Sequence, residues 1–219
     1  MLLYKQIDRL DRKWVSKKLK SFLKEDLPDG DATTENVILT DIEEAMFIKS
    51  REPMVFCGNS IIENIFSTNV KINKMVKDGQ KLLPGETIAK VSGPYSEILM
   101  KERLLLNMIQ RMSGVSTMTR KYVDKLNNNQ IKVLDTRKTT PGLRMFEKYA
   151  VFCGGGSNHR LNLSSGIMVK DNHINKITNE AINKIINISP KIPIQFEIDN
   201  LDQINSQNVS LVDAFLLDN

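Results

Sequence analysis

Between Leu134 and Ile174 the chain reads LDTRKTTPGLRMFEKYAVFCGGGSNHRLNLSSGIMVKDNHI, a stretch that holds Arg137, Lys138, Arg144, Lys148, Arg160 and Lys170 together with both histidines, His159 and His173. Guanidinium forks, ammonium groups and imidazoles are the side chains that bind carboxylates and phosphates. A solvated helix would interleave such cations with acids at three- and four-residue spacing. Here they sit instead in Thr-Arg-Lys-Thr-Thr-Pro-Gly, Gly-Gly-Gly-Ser-Asn-His-Arg and Lys-Asp-Asn-His, each placed where an element should end. Residues at strand ends and in loops can converge on one ligand, so the pattern implies an anion site.

Two carboxylates join the set. Glu197 and Asp218 lie in or just after later apolar runs, and a cationic cluster with two acids could grip a doubly charged acid by forked arginine bonds while the acids take sugar hydroxyls or a magnesium ion. Arg144 and Lys148 stand four apart on a short helix and read at least as well as a solvated face. His159, beside Arg160 and after three glycines, reads as a ligand group, whereas a strand-end hydrogen bond explains His173 equally well. Gly154 to Gly156 lack both the Lys-Ser/Thr of a P-loop and the spacing of a dinucleotide fingerprint.

Short apolar runs at 131–134, 167–169, 194–198 and 214–217, separated by helical segments, give the rhythm of a parallel sheet or barrel. Their carboxyl ends would carry Arg137, Lys138, Lys170, Glu197 and Asp218 to one mouth, where α/β proteins place their chemistry. Upstream, residues 35–98 read as short, mostly antiparallel strands, including 44–49 and a punctuated run from Val76 to Val91, with a helix at 60–66. Helical periodicity predicts further helices over 8–22 and from Glu97 to about Leu126, the latter with a core-packing methionine stripe and Gly114 marking a bend or a close neighbour. Asp31, Thr33 and Thr34 read as turn residues that bond nearby backbone amides.

Composition excludes some classes. The chain has 219 residues, 31 lysines and arginines against 26 acids, and 6% aromatics; it lacks a basic tail and stacking platforms, which argues against nucleic acid. No apolar run is long enough for a membrane span and charges interrupt the N-terminus at once. Cys57 and Cys153 are too few for a disulfide framework and read as small buried fillers, which makes the cytoplasm the expected compartment.

Dense motifs then carry a resemblance. Glu-Asp-x-x-x-Gly-Asp-Ala-Thr-Thr at 25–34, Asp-Gly-x-x-x-x-x-Gly-Glu at 78–86, Glu102-Arg103 leading into Leu-Asn-Met-Ile-Gln-Arg-Met-Ser-Gly, Asp-Thr-Arg-Lys-Thr-Thr-Pro-Gly-Leu-Arg, Lys-Tyr-Ala-Val, Gly-Gly-Gly-x-Asn-His-Arg, Lys-Asp-Asn-His and the final Leu-Leu-Asp-Asn occur in order. Together they closely resemble the quinolinate phosphoribosyltransferases, across essentially the whole chain. The resemblance implies a mixed α/β and α+β protein: an N-terminal α/β sandwich over 1–104 and, over 105–219, an α/β barrel left incomplete, with its last strands and helices missing.

It further implies a homodimer, or a multiple of dimers, in which Arg103 enters the neighbouring subunit's site. Arg137, His159 and Arg160 would hold the two carboxylates of quinolinate. Lys138 and Lys170 would face the substrates' charged groups, including the phosphates of phosphoribosyl pyrophosphate. Glu197 and Asp218 would take ribose hydroxyls and magnesium, the metal being held mainly by substrate. Lys138, Lys170, Glu197 and Asp218 are the implied catalytic residues. The implied reaction converts quinolinate and phosphoribosyl pyrophosphate to nicotinate mononucleotide, pyrophosphate and carbon dioxide, in de novo NAD biosynthesis. Two departures stand out: Gln195 where the family commonly has Glu, a side chain expected to face away from Glu197, and an end at Asn219 where family members normally continue. The competing readings are a truncated, inactive homologue acting as a dimerising or ligand-binding protein, and the molybdenum-transport-associated homologue, which typically alters both the Asn158-His159-Arg160 and the Lys170-to-His173 motifs.

Overall fold

Turn chemistry sets the first elements. In this computed structural model, which describes residues 3–38, 40–128, 130–170, 173, 178, 180, 184–185, 187, 191–204 and 209–218, helix α1 spans Arg12–Asp26. It starts there rather than at Asp8 because the Asp11 carboxylate accepts the Trp14 N–H at 2.8 Å. Asp31 does the same for Thr33 and Thr34, so the expected turn opens a short helix, α2, at Ala32–Val37. Asp171, Asn172, Ile174 and Asn219, all named in the motifs above, lie outside the described residues.

By its internal contacts the chain divides into two units. The larger comprises Gln6–Asp135 and Thr139–Ser157. Its sheet has the order β1-β5-β3, from β1 (Glu43–Lys49), β3 (Lys71–Met75) and β5 (Thr87–Pro94), all antiparallel, with Met46 opposite Val91. A two-stranded ladder pairs β2 (Met54–Val55) with β4 (Lys81–Leu82). The expected run from Val76 to Val91 thus breaks into β4 and β5 at Pro84-Gly85, where Gly85 has φ +87°. Helix α3 (Asn59–Ile65) and the long α4 (Tyr95–Leu126) follow their predicted periodicity. Along α4, Ile98, Leu105, Met108, Ile109 and Met112 are buried, packing with Phe56, Ile61, Ile62, Ile88, Val91 and Phe146 into one core. Gly114 does not break α4, and among the described residues nothing outside its own helix backbone lies within 4 Å of where its Cβ would stand. Helix α5 (Arg144–Cys153) completes this unit.

The smaller unit comprises residues 1–5, 136–138 and 158–219. Its sheet is parallel throughout, β6 (Ile167–Val169), β7 (Ile194–Ile198) and β8 (Ala214–Leu217), with Val169 opposite Phe196 and Ile198 opposite Leu217. All three strands keep the bounds of their apolar runs. The run at 131–134 does not form a strand: among the described residues it makes one isolated bridge, Leu134 to Ser157, with Ile131 and Leu134 about half exposed, because it lacks a partner strand on either side. Among the described residues no helix is long and apolar enough to cross a membrane.

Candidate anion site

Of the eight predicted site residues, the smaller unit gathers Arg137, Lys138, His159, Arg160, Lys170, Glu197 and Asp218. Arg103 lies in the larger unit, exposed on α4. Strand register explains one pairing directly. Lys170 follows β6 at the position beside Glu197 of β7, and its Nζ meets both carboxylate oxygens at 2.8 and 2.7 Å. The lysine side chain stays 40% exposed against 13% for the glutamate. Asp218 closes β8, its backbone N–H donating to Ile198 at 2.9 Å, with its residue exposed. Lys138 is exposed and its backbone N–H donates to Thr136 Oγ1 at 3.0 Å.

The arginines carry the electrostatics. Arg160 is 8% exposed and donates from Nη1 to the Gly166 carbonyl at 3.0 Å. Burial pulls its guanidinium below the ordinary arginine range, and the charge of Arg137 adds to that pull, while Tyr4 and Glu197 oppose it. Two guanidiniums held close enough to repel form a field that a bound anion relieves.

Two residues of this group are absent from the sequence-based set. Gln195 was expected to face away from Glu197, yet residues two apart on a strand share a face. Its Oε1 lies 2.6 Å from His159 Nε2 and 2.8 Å from the Tyr4 hydroxyl, and the residue is 6% exposed. The Tyr4 ring lies on the His159 ring with centroids 4.6 Å apart. A Cβ on Gly166 would stand 2.7 Å from that tyrosine ring, which is why glycine is required there. The period of β7 could have exposed Gln195; a lone aromatic near the N-terminus carried no signal. His173 serves the strand end: its Nδ1 accepts the Lys170 N–H at 3.1 Å and its own N–H returns to the Lys170 carbonyl.

Other motif residues turn out to be structural in the larger unit. Lys148 does not lie on a solvated face; its side chain is fully buried and bonds the Asp135 carboxylate. Arg144 Nε donates to Thr139 Oγ1 at 3.1 Å. Arg111 reaches Glu147 at 2.6 Å and Thr140 Oγ1 at 2.9 Å, and Glu147 also accepts the Thr140 N–H, so this trio holds the loop after Lys138. The glycine run is needed for close packing: a Cβ on Gly154 would stand 2.5 Å from the Ser116 carbonyl and one on Gly156 2.7 Å from Val151.

Among the described residues, Cys57, Asp78 and Cys153 bring three metal-capable atoms within 4.8 Å of one another. Asp78 is already committed there: Oδ1 accepts the Gly58 and Asn59 N–H groups and Oδ2 the Tyr149 hydroxyl at 2.7 Å. Hydrogen bonding with Cys153 and burial push the Cys57 thiol far up, so this thiol stays protonated at the joint between the loop before α3 and the end of α5.

Models of known families match almost the whole chain. Residues 31–113 match the quinolinate phosphoribosyl transferase N-terminal domain and residues 115–219 the C-terminal domain of the same family. A probable carboxylating nicotinate-nucleotide pyrophosphorylase of Bacillus subtilis is 41% identical over 216 residues, covering 94% of this chain and 73% of that protein. The carboxylating nicotinate-nucleotide pyrophosphorylase of Mycobacterium leprae is 33% identical, covering 92% and 74%. The solved nicotinate-nucleotide pyrophosphorylase of Francisella tularensis superposes with a TM-score of 0.90 at 34% identity, covering 98% of this chain and 78% of that one.

Proposed function

The chain belongs to the quinolinate phosphoribosyltransferase family, and we propose that it converts quinolinate and phosphoribosyl pyrophosphate to nicotinate mononucleotide, pyrophosphate and carbon dioxide, a step of NAD biosynthesis. The observation that carries this reading is the match of both family domains together with Arg137, Arg160, His159 and the Lys170–Glu197 pair lying in one unit. Two adjacent carboxylates on a small ring match two cationic forks and an imidazole, and a ligand of charge −2 offsets the repulsion between them.

Displacing pyrophosphate from the ribose carbon builds positive charge on the sugar and negative charge on the leaving group. In this reading Glu197 faces the first charge and Lys170, whose ammonium it holds, the second, with Lys138 as a further cation. Loss of carbon dioxide leaves a carbanion next to the ring nitrogen, and that nitrogen, once ribosylated and positive, stabilises it. No enzyme nucleophile is needed.

Glu197 and Asp218 offer hard oxygen donors of the kind magnesium takes, but both Glu197 oxygens contact Lys170, which favours a magnesium bound mainly through the diphosphate with Asp218 nearby. Magnesium, when bound, neutralises charge on the departing pyrophosphate. We further place an N-terminal α/β sandwich domain over 1–104 and an α/β barrel domain over 105–219, near the 113/115 junction of the two family domains.

A homodimer is part of this reading. An open groove of about 1120 Å³ on the larger unit is lined by Phe47, Arg103, Met118 and other residues, and Phe47 and Met118 are more than half exposed, which suits coverage by a second copy and delivery of Arg103 to its site. The cytoplasm is the compartment that fits two free thiols. Incubating the purified protein with carboxyl-labelled quinolinate, phosphoribosyl pyrophosphate and magnesium should release labelled carbon dioxide, with nicotinate rejected in quinolinate's place. Absence of release, or equal use of nicotinate, overturns the assignment.

A further inference from the structure

We infer that Gln195 and Tyr4 are positioning residues for His159: a neutral amide carbonyl, itself held by a phenol, fixes the imidazole with its proton on Nε2. The kinetic consequence rests on the proposed reaction, whereas the placement of the proton rests on the network alone.

The Gln195 carbonyl oxygen has lone pairs and no proton, and it lies 2.6 Å from His159 Nε2 and 2.8 Å from the Tyr4 hydroxyl. Both neighbours must therefore donate to it. Tyr4 remains a phenol able to do so: burial raises its pKa, the Arg160 charge opposes the rise, and Asp213 adds to it. A proton is thereby committed at Nε2, whether the ring is neutral or charged. Tyr4 restrains the ring a second way, lying against it at 4.6 Å and 51°.

The same tyrosine fills the space that a Gly166 Cβ would need, and the Gly166 carbonyl holds Arg160 Nη1 at 3.0 Å. Tyr4, Gly166, Gln195, His159 and Arg160 form one packed group, and two of its members are cationic or protonatable ligands of the proposed dicarboxylate site. Glutamate at 195 could accept the same two bonds but would add a buried charge that favours the imidazolium. The amide keeps the geometry without that charge.

The test uses the full chain and three variants, Gln195→Leu, Gln195→Glu and Tyr4→Phe, with steady-state kinetics for each substrate and imidazole nitrogen NMR of His159. In the wild type the ring nitrogen spectrum should show the proton on Nε2. Gln195→Leu should lose that signature and raise KM for quinolinate about tenfold, the scale of one buried hydrogen bond, with KM for phosphoribosyl pyrophosphate within about twofold. Gln195→Glu should recover most of the quinolinate KM because its oxygens accept both bonds. Tyr4→Phe, which keeps the ring contact, should fall between wild type and Gln195→Leu.

A wild-type ring protonated on Nδ1 alone overturns the inference. So does a folded Gln195→Leu protein with unchanged quinolinate KM, or a Gln195→Glu protein no better than Gln195→Leu. If Gln195→Leu fails to fold, the wild-type spectrum and the Gln195→Glu kinetics still decide. A wild type that consumes no quinolinate sinks the proposed reaction and leaves the spectrum to judge the network.

Discussion

Two lysine–carboxylate pairs, one in each unit, have the same chemistry and opposite surroundings. Lys148 and Asp135 in the larger unit are 0% and 6% exposed at their side chains; Lys170 and Glu197 in the smaller unit are 40% and 13% exposed. The first pair is closed. Its lysine rises from α5 among buried residues, and both side chains are almost wholly shielded from solvent. The second pair sits at the carboxyl end of a parallel strand, where the lysine has a partner and its side chain stays partly exposed. Pairing a charge therefore says nothing about its role; what separates fold from function is whether one partner stays accessible.

The comparison breaks most visibly if the closed pair can be opened at no cost. Lys148→Met leaves the Asp135 carboxylate buried with one partner removed, and urea unfolding should register a loss of about 3–5 kcal/mol. An unchanged midpoint would show that this pair is not structural. Next in size, Arg160→Ala removes a buried fork from the anion field, and calorimetry with quinolinate should lose about 3 kcal/mol of binding free energy. Unaltered affinity would remove Arg160 from the site. The open pair should respond in the reverse sense to Lys148. Lys170→Met should lower kcat about 100-fold while stability falls by about 1 kcal/mol or less, since a half-exposed pair contributes little to folding. Equal losses in both readouts would erase the distinction.

Much of the frame was legible in the chain. β6, β7 and β8 match their apolar runs because a strand buried in a parallel sheet is a short apolar block cut off by polar residues, and Lys170, Glu197 and Asp218 mark those cuts. The 131–134 run has the same composition and fails, because a strand exists only where a neighbour pairs with it. Lys148 differs from its reading for a related reason: four-residue spacing from Arg144 places two cations on one side of α5, but only tertiary packing decides whether Lys148 meets water or the Asp135 carboxylate. Tyr4 was invisible, since its role comes from a contact with Gln195 at 191 residues' separation. Gln195 itself needed no structure, only the two-residue period that puts it beside Glu197.

The smallest test concerns a third ion pair that lies between these extremes. Glu147 has an 8% exposed side chain, while its partner Arg111 is 52% exposed. Burial alone would raise the Glu147 pKa, but hydrogen bonds from Arg111 and Thr140 outweigh it and hold the carboxyl below its ordinary value of 4.5. In the unfolded chain this group binds its proton at higher pH than in the folded one. Its contribution is thus fully present above about pH 4.5 and disappears as pH falls through the depressed folded value. Glu147→Gln should remove that share of the acid limb and cost under about 1 kcal/mol at neutral pH, because water reaches Arg111. Parallel stability–pH curves for wild type and variant down to the acid transition would place Glu147 with the solvent-screened surface pairs, and the Thr139-Thr140 loop would then owe its position to other contacts.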